Sequence, residues 1–191
     1  MYQTIADINV LEDAAFQQRL VWASVAVLVG GVAVGLLALV AGWVQPEHVT
    51  PVWFLALALA SLVALPVHEL VHALFFKLLS RGRCSISFGF EQFMLFTRTN
   101  DLVLPRLSFV AVLLAPAVLV TVALFCGALA FGCPMLGWLL AVIHLSGCTG
   151  DLAMAHEIIR EPAATHVRDT SFGITLLARR RRSCETDPSA S

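Results

Sequence analysis

The chain has 191 residues, 59% of them hydrophobic and only 13% charged, with a formal net charge of −1 and a mean hydropathy of +0.84. Soluble domains carry about 45–50% apolar and about 25% charged residues, so a water-soluble globule is excluded and one compact membrane domain is expected. No basic stripe is interleaved with aromatics, and nucleic acid is not an expected partner.

The first segment, residues 1–19, contains Asp7, Glu12 and Asp13 rather than a basic leader. Residues 20–44 follow without a charge; too long for a signal-peptide core, they are expected to be a retained membrane helix. Gly31 and Gly35 form a GxxxG packing pattern there. A second apolar stretch spans residues 52–79, interrupted by His68, Glu69, His72 and a terminal Lys77. From Cys84 to Glu91, apolar and small or polar residues alternate strictly, which predicts a strand. Residues 93–97 are its expected partner in a short hairpin. Two further spans are expected at residues 107–131, containing Pro116, and 134–159. Residues 161–191 form a polar tail with a possible strand near Ile174 and Leu177. The expected fold is an all-α polytopic protein of four transmembrane helices, with the hairpin between the second and third. Residues 20–160 form the membrane domain.

Four spans place all twelve Lys and Arg residues on one side, which the positive-inside rule makes the cytoplasm. Both termini, the hairpin and the basic tail are expected there. Trp43, Trp53 and Trp138 fall at the opposite interface, as an aromatic belt would. Arg179, Arg180, Arg181 and Arg182 are expected to meet anionic lipid headgroups. The five cysteines (Cys84, Cys126, Cys133, Cys148, Cys184) are odd in number and form no CxxC. They read as small apolar fillers and free thiols.

The second span carries HExxH as His68, Glu69 and His72. On a helix, positions i and i+4 share a face about 6 Å apart. Two imidazoles there can hold one zinc ion, with the intervening Glu within reach of water at the metal. An ionisable residue deep in a membrane helix costs about 2.5–3.5 kcal/mol, and metal ligation recovers that cost. A third ligand is needed. Phe75 and Leu78 stand where the metzincin continuation requires Gly and His, so it comes from elsewhere. Asp151 is the candidate: it lies as deep from the outer end of the fourth span as His68 does in the second, both about 25 Å in at 1.5 Å per residue. His144, about 10 Å further out on the same face, reads as a polar helix contact. His156 and Glu157 are fallback ligands. Pro66 and Pro116 interrupt backbone bonding at membrane depth, which is tolerated beside a buried or wet cavity.

At these residues the chain resembles intramembrane zinc metalloproteases of the site-2 protease type. It is most similar to the small bacterial family of putative zincin peptidases. The resemblance rests on residues 66–72, on Ala115, Pro116 and Ala117, and on Gly150, Asp151 and Leu152, and covers roughly residues 15–175. Site-2 proteases often carry an Asn and a Pro several residues before the Asp; this chain has His144 instead. The resemblance implies one Zn2+ per chain, held by His68, His72 and Asp151 in a bacterial cytoplasmic membrane. It also implies Glu69 as general base and acid in hydrolysis of a peptide bond by zinc-activated water. The implied partner is a membrane-embedded or juxtamembrane protein segment, with residues 84–91 offering it a strand edge. The rival readings are a metal-binding or transport protein using the same cluster, a haem protein ligated by His68 or His72 with His144, and a structural protein with a dead site.

Overall fold

A computed structural model describes residues 2–9, 13–91, 94–99, 102–170 and 173–179. Arg180, Arg181, Arg182, Cys184 and Phe93 lie outside the described residues, and with them most of the arginine run.

The elements are β1 (Tyr2–Asn9), α1 (Ala14–Val40), α2 (Pro51–Leu79), β2 (Ile86–Glu91), β3 (Met94–Thr99), β4 (Val103–Pro105), α3 (Arg106–Ala130), α4 (Pro134–Gly147), α5 (Thr149–Arg160), β5 (His166–Thr170) and β6 (Gly173–Arg179). Local chemistry sets several helix starts. The Asp13 carboxylate caps α1 by accepting from the amides of Ala15 and Phe16 at 2.9 and 3.0 Å. Thr50 caps α2 ahead of Pro51, whose missing N–H costs nothing in a first turn. No side chain of its own segment caps α4. Glu47, from the α1–α2 connection, accepts instead from the amides of Met135 and Leu136 and from Trp53 Nε1, setting a negative charge at the positive end of that helix.

Three helices (α1, α2 and α3) are long and apolar enough to cross a membrane; α4 and α5, bent by 53° at Cys148, make a fourth span if counted together. The uninterrupted span expected over residues 134–159 is therefore broken. Apolar side chains face outward: Leu37 is 68% exposed, Val40 88% and Val52 72%. Such a surface suits hydrocarbon rather than water. The innermost helix is α3, with Val112 and Phe109 enclosed. Gly31 and Gly35 of α1 face α4. A Cβ on Gly31 would lie 2.6 Å from Val142, and one on Gly35 2.9 Å from Trp138. Trp138 donates its Nε1–H to the Gly31 carbonyl at 2.8 Å. It thus makes a contact between helices in addition to the interfacial place its sequence position suggested.

The fold is mostly helical but not all-α. Strands β1, β6, β5 and β4 form, in that order, an antiparallel sheet. Thr4 pairs with Leu177, Val167 with Leu176 and Leu104 with Val167. Its inward residues Leu104, Val167, Ile174 and Leu176 close a core with Phe76, Phe109, Ala155 and Ile158. Strands β1 and β4 pair with partners far along the chain, where a local alternation rule had little to act on, whereas β5 and β6 are consecutive and β6 covers the strand expected near Ile174 and Leu177. The β2–β3 hairpin forms a separate two-stranded sheet with Ile86 opposite Thr99 and Phe88 opposite Thr97. Asp169 of β5 fastens the hairpin, its Oδ2 accepting from Thr99 N and Thr99 Oγ1 at 2.8 and 2.7 Å.

Candidate metal centre

His68, Glu69 and His72 share one and a third turns of α2, while Asp151 occupies the first turn of α5. The break at Cys148 puts this carboxylate at a new helix N-terminus, where negative charge is favoured. His68 Nε2 lies 3.0 Å from Asp151 Oδ2 and 3.1 Å from His72 Nε2, and His72 Nε2 lies 3.4 Å from the same oxygen. Three lone-pair atoms from two helices thus converge on one point. Tetrahedral zinc, with bonds of about 2.0–2.2 Å to nitrogen and oxygen, needs donors about 3.3–3.5 Å apart. The donor set fits a zinc ion after an adjustment of a few tenths of an ångström.

Neighbouring groups orient the rings. His72 Nδ1 lies 3.0 Å from the Val112 carbonyl, and since a carbonyl only accepts, this nitrogen carries the proton and Nε2 turns its lone pair inward. Pro116 explains why that carbonyl is open to a side chain. It follows Val112 by four residues in α3 and has no N–H to donate back to it. The proline is packed inside the helix bundle. His68 Nδ1 sits 3.2 Å from His144 Nε2, and His144 Nδ1 sits 2.8 Å from Thr121 Oγ1. Glu69, buried beside its helix, accepts a hydrogen bond at Oε2 from Thr97 of β3 at 2.7 Å; the same hydroxyl lies 3.0 Å from the Glu69 carbonyl.

His68, His72 and Asp151 therefore come together, with Glu69 alongside. The fallback residues His156 and Glu157 belong to neither potential metal-binding group among the described residues. His144, in the last turn of α4 ahead of the bend, reaches His68 directly at 3.2 Å. It meets Nδ1 of His68, the ring nitrogen turned away from Asp151. Sequence reasoning missed three residues. Thr97 ended a strand expectation without a role, though its period-two register was available. The Val112 carbonyl could have been found from the proline four residues on. Cys148 looked like a filler, yet it lies 3.8 Å from His68 Nδ1 and is fully enclosed.

A family profile described as Putative zincin peptidase matches residues 61–166. The chain belongs to this family. The match spans more than half of the sequence and includes all four residues of the centre. Comparison with curated proteins finds no match, and neither does comparison with solved structures. Membership supports a zinc metallopeptidase at the level of the family.

Proposed function

We propose that the chain is a zinc-dependent endopeptidase embedded in the membrane, acting on a membrane-embedded or juxtamembrane segment. One observation carries this reading: His68 Nε2, His72 Nε2 and Asp151 Oδ2 converge beside Glu69 in a zincin-family chain. His68, His72 and Asp151 would hold the ion. When bound, zinc supplies Lewis acidity that makes water easier to deprotonate and a carbonyl easier to attack. Glu69 takes a proton from the attacking water as the carbon–oxygen bond forms. It returns that proton to the amine nitrogen as the carbon–nitrogen bond breaks. The Thr97 hydroxyl holds the carboxylate at Oε2 during both transfers. His72 is fixed by the Val112 carbonyl and does not itself move a proton.

A helical substrate must unwind before its carbonyls are available. The edge of β3 suits the unwound chain better than residues 84–91. The Thr99 amide turns away from β2 toward Asp169. With period two, the backbone groups of Thr97 and Leu95 face outward as well. That edge adjoins Glu69 through Thr97, and a substrate strand pairing there would cross the centre. A Leu95→Pro variant removes one outward amide while sparing the β2–β3 bonds. Cleavage is expected to fall at least about tenfold, one lost hydrogen bond being worth about 1 kcal/mol and the edge register more, with zinc content unchanged. Full cleavage by this variant would remove β3 as the docking edge.

The sheet also supports four crossings. Strand β1 precedes α1, β4 lies between α2 and α3, and β5 and β6 follow α5, yet all four pair in one sheet. An even number of crossings must separate each of these segments, so α4 and α5 act as one bent span. The basic residues favour the cytoplasm for that side.

The test is metal content by mass spectrometry of detergent-purified protein, paired with cleavage of a membrane substrate. Wild type is expected to hold zinc that His72→Ala and Asp151→Ala lose. Glu69→Gln is expected to keep the zinc and lose at least about 100-fold in cleavage, the low end for removal of a general base. Zinc retained by Asp151→Ala would overturn the ligand assignment. Cleavage by Glu69→Gln at the wild-type rate would overturn Glu69 as the general base, and zinc held by a wild type that cleaves no membrane substrate would leave a metal-binding or transport protein.

A further inference from the structure

His68 presents donor atoms in two directions. Nε2 points to His72 and Asp151; Nδ1 points to His144 Nε2 at 3.2 Å and Cys148 Sγ at 3.8 Å. Cys148 Sγ lies 3.9 Å from His144 Nε2. These three atoms form a closed triangle in which the thiol is fully enclosed and His144 is buried. With zinc–nitrogen bonds of about 2.0–2.1 Å and zinc–sulfur bonds of about 2.3 Å, tetrahedral donors stand about 3.3–3.7 Å apart. The triangle is within a few tenths of an ångström of that spacing. The groups are held in place by the protein itself: the Cys148 thiol reaches the His144 carbonyl at 3.2 Å, and His144 Nδ1 lies 2.8 Å from Thr121 Oγ1.

We propose that His68 Nδ1, His144 Nε2 and Cys148 Sγ form a second cation position next to the first, and that it takes soft, thiolate-seeking ions such as zinc and cadmium. The thiolate gives it a preference that the His and Asp position lacks. An ion there takes the place of the proton shared between His68 Nδ1 and His144 Nε2, which moves to the other nitrogen of the ring that carries it. Uptake releases to solvent the Cys148 thiol proton and, when both positions are filled, the remaining ring proton of His68. The break between α4 and α5 creates the site: Cys148 is the joint of the bend, and His144 precedes it by one turn. The proposal goes beyond the peptidase reading and does not depend on hydrolysis.

The experiment titrates the full chain, purified in detergent and stripped with a chelator, with cobalt(II) alone. Stoichiometry and the near-ultraviolet thiolate-to-cobalt charge-transfer band are both followed. Wild type is expected to take up about two cobalt ions per chain, with the band present. Cys148→Ser is expected to lose the band and one ion. His144→Ala, as a second variant should the serine form fail to fold, is expected to do the same. His72→Ala and Asp151→Ala are expected to lose one ion and keep the band. Uptake without a charge-transfer band in wild type overturns the second position while leaving the first intact. A band that survives Cys148→Ser also overturns it, since the thiolate then belongs elsewhere. A band retained with an ion count that Asp151→Ala leaves unchanged upholds the thiolate position and removes the first.

Discussion

Proline at position 116 is the residue on which the ring geometry turns. Its missing amide leaves the Val112 carbonyl free of one helical bond, and His72 Nδ1 takes that acceptor. Pro116→Ala restores the amide and sets it in competition with His72. Two effects of opposite sign are then expected. The helix gains up to about 3 kcal/mol from propensity. Zinc affinity falls about tenfold, the low end for loss of an orienting partner, because a carbonyl keeps a second lone pair. Thermal unfolding in detergent and a competitive zinc titration read the two separately, and a variant that gains stability with unchanged affinity would refute the link. How legible the centre was follows from the same chemistry. His68, Glu69 and His72 were readable because i and i+4 share a helix face whatever the tertiary context. Asp151 was readable from depth alone. The Thr97 bond to Glu69 was not, since a hydroxyl on a surface strand carries no sign of what it will reach.

Close approach of helices controls the next scale. Gly137 of α4 meets α3: a Cβ there would lie 2.9 Å from the Phe125 carbonyl oxygen and 3.1 Å from Ala128. Backbone cannot rotate aside as a long side chain can, so α3 and α4 would have to separate. Gly137→Ala is expected to destabilise by about 1–3 kcal/mol, the usual cost of overpacking. Gly30→Ala is the control, because a Cβ at that position meets nothing within 4 Å. It is expected to be neutral or mildly stabilising by up to about 1 kcal/mol. Equal unfolding temperatures for the two variants in one detergent would count against the packing described for α3 and α4. Composition made the helices plain, since runs of some 25 apolar residues have few other fates. The bend at Cys148 was hidden, because Gly147, Cys148, Thr149 and Gly150 permit a continuous helix as readily as a broken one. The hairpin was visible in its alternation. Of the larger sheet, β6 was visible near Ile174 and Leu177, while β1 and β4 acquire their meaning only from partners far along the chain.

Across the whole molecule, the four-stranded sheet converts chain connectivity into topology. β1 and β6 pair from opposite ends of the sequence, and β4 joins them from its middle. No arrangement with an odd number of crossings between these segments can keep the sheet on one side of a bilayer. Single cysteines, introduced after replacing the native five, test this in intact cells with a thiol reagent that does not cross membranes. His48→Cys, in the α1–α2 connection, is expected to label from outside. Gln3→Cys on β1 and Ala163→Cys before β5, both exposed positions, are expected to label only after the membrane is opened. Labelling of both β1 and β5 sites from outside, with His48→Cys protected, would keep the sheet and invert the protein, against the distribution of its basic residues. Labelling of only one of the two would break the sheet across the membrane and return α4 and α5 to a re-entrant pair. In the proposed four-span topology, crossing number and metal centre are linked: the bent α4–α5 pair that would make the fourth crossing also brings Asp151 to within 3.0 Å of His68.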